Sequence, residues 1–171
     1  MKLRSLIEAG ATQRELLSEY DVTSGQLKVV DCYYTYLEPN KRVKPNVTWI
    51  YGSTGTGKTR YADQTYKDIF WKDSTKWWDG YEKHETIVLD DFRPKNMEFD
   101  ELLRVLDRYP KRLEIKGGFR WLNSPNIIIT SNKSSEQLYH YKTDEDINQL
   151  LRRIDIQINM DDPNGSGSQQ G

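Results

Sequence analysis

A run of glycines that ends in lysine and threonine has the residue types and spacing of a phosphate-binding loop. The glycines permit a turn whose backbone N–H groups face one anion, and the following helix adds the positive end of its dipole. We expect Lys58 to reach the terminal phosphates of a nucleotide and the Thr59 hydroxyl to ligate Mg²⁺. The predicted nucleotide-binding residues are Gly52, Ser53, Thr54, Gly55, Thr56, Gly57, Lys58 and Thr59.

Two further apolar runs end in polar side chains that suit the same chemistry. Asp90 and Asp91 directly follow the apolar run 87–89, and Asn132 follows the apolar run 127–129. We expect Asp90 to bind Mg²⁺ and Asp91 to orient or deprotonate the attacking water. Asn132 is expected to hydrogen-bond that water or the γ-phosphate, or else to form a turn. The expected cofactors are therefore ATP and Mg²⁺.

Short apolar runs alternate with helical patterns from residue 48 onward, which predicts a mostly parallel sheet covered by helices. The predicted strands are 48–51, 69–72, 86–89, 112–115, 119–122, 126–130 and 154–158. The predicted helices of this part are 58–65, 99–107 and 144–153.

The remaining segments define the expected domain organisation. Residues 1–40 predict a small helical bundle, with helices at 13–20 and 26–37, whose aromatic face suits helix packing and oligomerisation. Residues 41–46 contain proline and several cations and are expected to be a linker. We expect a nucleotide-binding domain at 47–160 and a flexible tail at 161–171.

Composition excludes several classes of protein. The net charge is −1, from 25 basic and 26 acidic residues, so the chain as a whole is not a basic nucleic-acid binder. No apolar run is long enough to span a membrane. One cysteine rules out a disulfide framework and a cysteine-based metal cluster, and two histidines make a histidine metal site improbable.

Charge is concentrated locally in the segment Lys111–Leu122, which holds four cations and one carboxylate. Gly117 and Gly118 at its centre are typical of a β-hairpin turn. Cations bind phosphates without sequence preference and aromatic rings stack on bases. Phe119 and Arg120 are therefore candidate DNA-binding residues. The alternative is a solvated hairpin with Trp121 in the core.

In this order, the motifs resemble those of superfamily 3 helicases. The local sequences are closer still to the replication initiator (Rep) of circular single-stranded DNA viruses of the circovirus-like group. The resemblance is carried by residues 49–59, 71–72, 76–81, 87–92, 102–110, 116–118 and 127–132. The sequence at 152–154 also resembles the end of the family's ATPase domain.

The resemblance implies an α/β, AAA+-like P-loop ATPase fold, a hexameric homo-oligomer, and ATP-driven translocation on single-stranded DNA. The implied setting is rolling-circle replication in the host nucleus. Lys116 and Gly117 are implied to hold DNA in the channel of the ring. A neighbouring subunit is implied to complete each ATP site with an arginine, for which Arg153 is preferred to Arg152.

Family members usually carry an N-terminal nuclease, whose histidine motif and tyrosine nucleophile are not found here. We therefore expect the chain to be the helicase part of a longer protein and to lack nicking activity. Two alternatives stay open. Residues 12–37 could be a DNA-binding helix-turn-helix, although its second helix has few cations. The ATPase could also act on RNA, because stacking does not separate RNA from DNA.

Overall fold

The computed structural model describes residues 2–162 and the backbone of residues 168–169. Its helices are α1 (Leu3–Glu8), α2 (Gln13–Glu19), α3 (Ser24–Tyr36), α4 (Lys58–Thr65), α5 (Phe99–Leu106), α6 (Ser135–Leu138) and α7 (Asp144–Leu151). Its strands are β1 (Asn46–Tyr51), β2 (Ile69–Lys72), β3 (Thr86–Leu89), β4 (Arg112–Ile115), β5 (Gly118–Trp121), β6 (Asn126–Ser131), β7 (Ile156–Asn159) and β8 (Ser168–Gln169). A 3₁₀ turn covers Pro94–Asn96.

The predicted secondary structure is largely confirmed, with three informative differences. The two-residue hairpin turn is Lys116–Gly117, because Ile115 pairs with Gly118 in the antiparallel ladder. Helix α6 was not predicted. The predicted flexible tail contains strand β8, which pairs with β7. Residues 163–167 and 170–171 of that tail lie outside the described residues.

The chain divides into two units, and the first joins residues 1–42, 77–83 and 110–123. This division differs from the predicted boundary near residue 40. The hairpin and residues 77–83, which were predicted to lie in the nucleotide-binding domain, belong with the N-terminal helices. Helix α2 begins at a capping box, in which the Thr12 hydroxyl accepts from the Glu15 N–H and the Glu15 carboxylate accepts from the Thr12 N–H. The helices bury one apolar cluster, made of Ile7, Leu16, Val30 and Tyr34.

The hairpin packs directly on α3 within this unit. Phe119 N donates to Thr35 Oγ1 at 3.2 Å, and Trp121 Nε1 donates to the Glu38 carbonyl at 2.6 Å. A Cβ added to Gly118 would overlap Thr35 Oγ1, so only glycine allows this approach of strand to helix. The Trp121 side chain therefore packs within this unit, as the alternative interpretation of the hairpin predicts.

The second unit joins residues 43–76, 84–109 and 124–171 around a sheet of order β2-β3-β6-β1-β7-β8. Its first five strands are parallel. Both faces of the central strands are buried, which explains their continuous β-branched and aromatic sequences. One face packs on Ala62 of α4 through Ile50, Val88 and Ile128. The α/β fold with a mostly parallel sheet and flanking helices is therefore confirmed.

The strand order brings the predicted site residues to one edge of the sheet. Parallel strands share the edge at which their carboxyl ends lie, and ligands bind there. Strand β6 lies between β1, which precedes the phosphate-binding loop, and β3, which precedes the two aspartates. In the described part of the chain, no helix is both long and apolar enough to cross a membrane.

Candidate functional site

The phosphate-binding loop connects β1 to α4, as its sequence predicts. Gly57 caps α4 with φ = 84°, a left-handed conformation that favours glycine. Lys58 Nζ donates to the carbonyls of Gly52 at 2.7 Å and Ser53 at 3.0 Å. The lysine thus folds over its own loop, and its ammonium group lies where the loop can present it to an anion.

Asp90 is linked to the loop through a hydroxyl. Thr59 Oγ1 donates to Asp90 Oδ1 at 2.8 Å, and Thr130 Oγ1 donates to the same oxygen at 2.8 Å. The two predicted metal ligands are therefore adjacent. Mg²⁺ typically binds one or two carboxylates, a hydroxyl and phosphate oxygens, and this pair of hard oxygen donors fits that preference. Among the described residues, no group of three or more His, Cys, Asp or Glu could hold a metal ion.

Asp91 has a left-handed backbone conformation. Its φ is 48°, which few residues other than glycine adopt; aspartate and asparagine tolerate it best, and such positions recur at functional sites. Its backbone N–H donates to Thr130 Oγ1 at 2.8 Å, and the Phe92 N–H donates to the Thr130 carbonyl at 2.7 Å. Thr130 therefore contacts both aspartates through its hydroxyl, and its carbonyl holds the next residue, Phe92.

Open space lies in front of the two aspartates. A cleft of about 740 Å³ is lined by Asp90, Asp91 and the ends of β2 and β3. The Asp91 carboxylate is exposed, and Arg93 Nη2 approaches its Oδ2 only to 3.7 Å. A water molecule can therefore reach this carboxylate, as a role in activating water requires.

Asn132 directly follows β6 and is exposed at the same edge of the sheet. It lies between the strand of the phosphate-binding loop and the strand of the two aspartates, as its sequence position predicts. Its role toward a nucleotide stays a prediction.

The two candidate arginines differ sharply in environment. Arg153 Nη2 pairs with Asp107 Oδ2 at 2.9 Å, and Arg153 Nη1 donates to the Gln149 carbonyl at 2.6 Å. Arg152 is exposed, and its side chain makes no hydrogen bond or ion pair with the described residues. An arginine offered to a neighbouring subunit needs an accessible guanidinium, which Arg152 has and Arg153 lacks. The role of either arginine toward a neighbouring subunit stays a prediction.

The prediction that Arg120 contacts DNA is not supported. The residue is only 5% exposed, and its Nη2 pairs with Asp31 Oδ1 of α3 at 2.6 Å. Its guanidinium also lies over the Tyr34 ring. Because the side chain of Arg120 points toward α3 rather than away from it, Arg120 holds the hairpin on the helix.

Lys116, Gly117 and Phe119 remain accessible at the other end of the hairpin. Lys116 and Gly117 form the exposed turn, and Phe119 is 38% exposed. The backbone N–H of Lys116 donates to Asp79 Oδ1 at 2.9 Å, which leaves its ammonium group free to bind a phosphate. The DNA-binding role of these three residues stays a prediction.

Two residues of the site were not predicted from the sequence. Thr130 is one, and its only signal is its place among the polar residues at the end of β6. The other is Asp161, which fell within the predicted tail. Both oxygens of Asp161 accept from the Ser53 N–H, at 3.0 and 3.1 Å, and Oδ1 accepts from Ser53 Oγ at 2.5 Å. No local pattern marks a contact over 108 positions.

Comparison with known proteins agrees with this geometry. The sequence model of a family described as RNA helicase matches residues 48–133. The chain is 40% identical over 112 residues to the replication-associated protein of goose circovirus and 43% identical over 111 residues to that of beak and feather disease virus. Each alignment covers 65% of this chain and 37% of the relative.

A third relative, the replication-associated protein of human associated cyclovirus 1, is 35% identical over 127 residues, which cover 70% of this chain and 45% of the relative. The chain thus spans less than half the length of the curated relatives it matches. The matched region runs from β1 to just beyond β6 and contains the loop, both aspartates and Asn132. The chain therefore belongs to the RNA helicase family, the superfamily 3 helicase domain of viral replication-associated proteins.

Proposed function

We propose that this chain is an ATPase that drives a DNA helicase, with ATP and Mg²⁺ bound at the edge of the sheet that holds the phosphate-binding loop. The observation that carries the proposal is the junction of Thr59 and Asp90 through a 2.8 Å hydrogen bond. A hydroxyl at the start of α4 and a carboxylate at the end of β3 are the two protein ligands that a nucleotide-bound Mg²⁺ needs.

Each residue of the site has its own proposed role in ATP hydrolysis. Lys58 exchanges the loop carbonyls for phosphate oxygens. Thr59 and Asp90 would hold Mg²⁺, which would neutralise the phosphate charge. Asp91 accepts the proton of the attacking water from the open cleft, and Asn132 orients that water. Thr130 fixes the positions of both aspartates.

The hexameric ring and translocation on single-stranded DNA are also proposals. They rest on family membership, on the exposed arginine at position 152, and on the exposed Lys116–Gly117 turn. Exposed Phe119 could stack on a base while Lys116 binds a phosphate. The proposed setting is rolling-circle replication in the host nucleus, with the helical bundle of the first unit supporting oligomerisation.

The test of the ATPase is the Lys58→Ala variant, measured by release of phosphate from ATP. Loss of the lysine that neutralises the terminal phosphates should lower the rate by roughly 10²-fold or more. The matched control is Lys67→Ala, which removes an exposed lysine beyond the end of α4. Hydrolysis by Lys58→Ala within a few-fold of the wild-type rate would refute the assignment.

A second candidate substrate is RNA, which the description of the matching family names. The exposed groups of the hairpin do not read the 2′-hydroxyl that separates RNA from DNA. Strand displacement should be measured on paired DNA and RNA duplexes of the same sequence. We expect the DNA duplex to be the better substrate. Preferential unwinding of the RNA duplex would make RNA the proposed substrate instead.

A helix-turn-helix role for residues 12–37 is less well supported by the geometry. Helices α2 and α3 are joined by a short turn, as that interpretation needs. However, one face of α3 carries Asp31 and Thr35, which hold the hairpin. Its exposed positions include only one cation, Lys28, whereas a recognition helix needs several cations or amides for bases and phosphates.

A further inference from the structure

The turn that follows β7 contacts the first residues of the phosphate-binding loop at several points. Met160 N donates to the Tyr51 carbonyl at 2.8 Å. A Cβ added to Gly52 would lie 3.1 Å from Met160 Cβ, so the two segments are already at their closest approach. Asp161 N donates to Asn159 Oδ1 at 3.0 Å, which fixes the turn itself.

The Asp161 carboxylate completes this contact with Ser53. Its Oδ1 accepts from both the backbone N–H and the hydroxyl of Ser53, and its Oδ2 accepts from the same N–H. These hydrogen bonds hold the pKa of Asp161 below its usual value, so the carboxylate is ionised at neutral pH. Hydrogen bonds to a charged acceptor are roughly twice as strong as neutral ones.

One other hydrogen bond joins this end of the loop to the sheet, from the Gly52 N–H to the Ser131 carbonyl of β6 at 3.3 Å. Thr56 Oγ1 and Lys58 Nζ bond the Ser53 carbonyl, which ties the loop only to itself. Asp161 is the residue that ties the Ser53 N–H to the neighbouring strand of the sheet. A flexible loop loses affinity for its ligand because binding must then order it.

We propose that Asp161 is a positioning residue of the nucleotide site: it holds Ser53, and with it the start of the phosphate-binding loop, in the conformation that accepts phosphate. The inference rests on the proposed function. It goes beyond that function by adding a residue from the turn after β7, the strand beside β1, which acts through Ser53 and not on the nucleotide itself.

Two variants of Asp161 distinguish a positioning role from an effect of its negative charge. Asp161→Asn keeps an oxygen at the Oδ1 position, which alone accepts from both Ser53 donors, but it loses the negative charge. Asp161→Ala loses both the oxygen and the charge. A positioning role predicts that the asparagine variant resembles wild type and that the alanine variant does not. A purely electrostatic role predicts that both variants bind the phosphate anion more tightly.

Two measurements test the proposal. Hydrogen exchange at the Ser53 amide, without nucleotide, should accelerate about 10-fold or more in Asp161→Ala and little in Asp161→Asn, because only the alanine variant loses the oxygen that accepts from this N–H. The KM for ATP should rise several-fold in Asp161→Ala while kcat stays near the wild-type value. Asp63→Asn, an exposed aspartate on α4, is the matched control.

Ser53→Ala supplies an independent check, since it removes the hydroxyl and leaves the backbone N–H. Its effect on KM should not add to that of Asp161→Ala, because both changes break the same contact. Unchanged exchange at Ser53 in Asp161→Ala would overturn the proposal, whatever the enzyme does. Accelerated exchange in a protein that never hydrolyses ATP would leave the contact established and refute the proposed function instead.

Discussion

Gly118→Ala is expected to loosen the hairpin from α3. The new Cβ would overlap Thr35 Oγ1 and lie 3.6 Å from Thr35 Cβ. Thr35 is buried, so relief requires either a shift of the hairpin or rotation of the hydroxyl away from Phe119 N. A shift of the hairpin costs about 1–3 kcal/mol as overpacking, and rotation of the hydroxyl costs about 1 kcal/mol as a lost hydrogen bond. Because either change relieves the overlap, we expect the free energy of unfolding to fall by about 1–3 kcal/mol.

The assay is urea unfolding together with hydrogen exchange at the Phe119 amide, which reports directly on its bond to Thr35. Thr35→Ala removes the overlapping oxygen, so the double variant should lose less stability than the sum of the single variants. Gly117→Ala is the control. Its φ is 98° and a Cβ there meets nothing within 4 Å, so only a backbone cost of about 1 kcal/mol is expected, without coupling to Thr35. Strict additivity of Gly118→Ala and Thr35→Ala would refute the reasoning.

Three further results are expected. Thr130→Val should lower kcat for ATP hydrolysis roughly 10-fold or more, with a smaller change in nucleotide affinity, because Asp90 and Asp91 lose the hydroxyl that contacts both. An unaltered kcat in steady-state assays would contradict this expectation. The pKa of Asp161 is lowered by its Ser53 hydrogen bonds, so its stabilisation is present at neutral pH and lost as pH falls below the ordinary value of 3.8. Other carboxylates also become protonated in this range, so thermal unfolding across pH should show a larger acid loss in wild type than in Asp161→Asn. Arg152→Ala should lower the rate of ATP hydrolysis by roughly 10³-fold, and mixing these subunits with Lys58→Ala subunits should restore part of the rate. Arg153→Ala should mainly lower the melting temperature. The reverse pattern would assign the role to Arg153.

Much of the second unit could be predicted because its signals are local. The phosphate-binding loop needs glycines, lysine and threonine at fixed spacing, and these residues are consecutive in the chain. The strands β2 and β3 were located to the residue, because each is a short apolar run bounded by polar residues; β3 is buried along its whole length, and β2 forms the edge of the parallel sheet. The position of Asn132 beside the two aspartates also followed, because parallel strands place their carboxyl ends at one edge.

Tertiary structure alone decided which distant residues meet. Nothing near Arg120 in sequence indicates that Asp31, 89 positions earlier, takes its guanidinium and removes it from the DNA-binding candidates. The contact of Asp161 with Ser53 likewise depends on β7 lying next to β1, and the strand order is not a property of either segment. A side chain's charge and hydrogen-bonding groups are set by its own chemistry. Whether those groups face solvent, a ligand or another side chain is set by the packing of elements far apart in the chain.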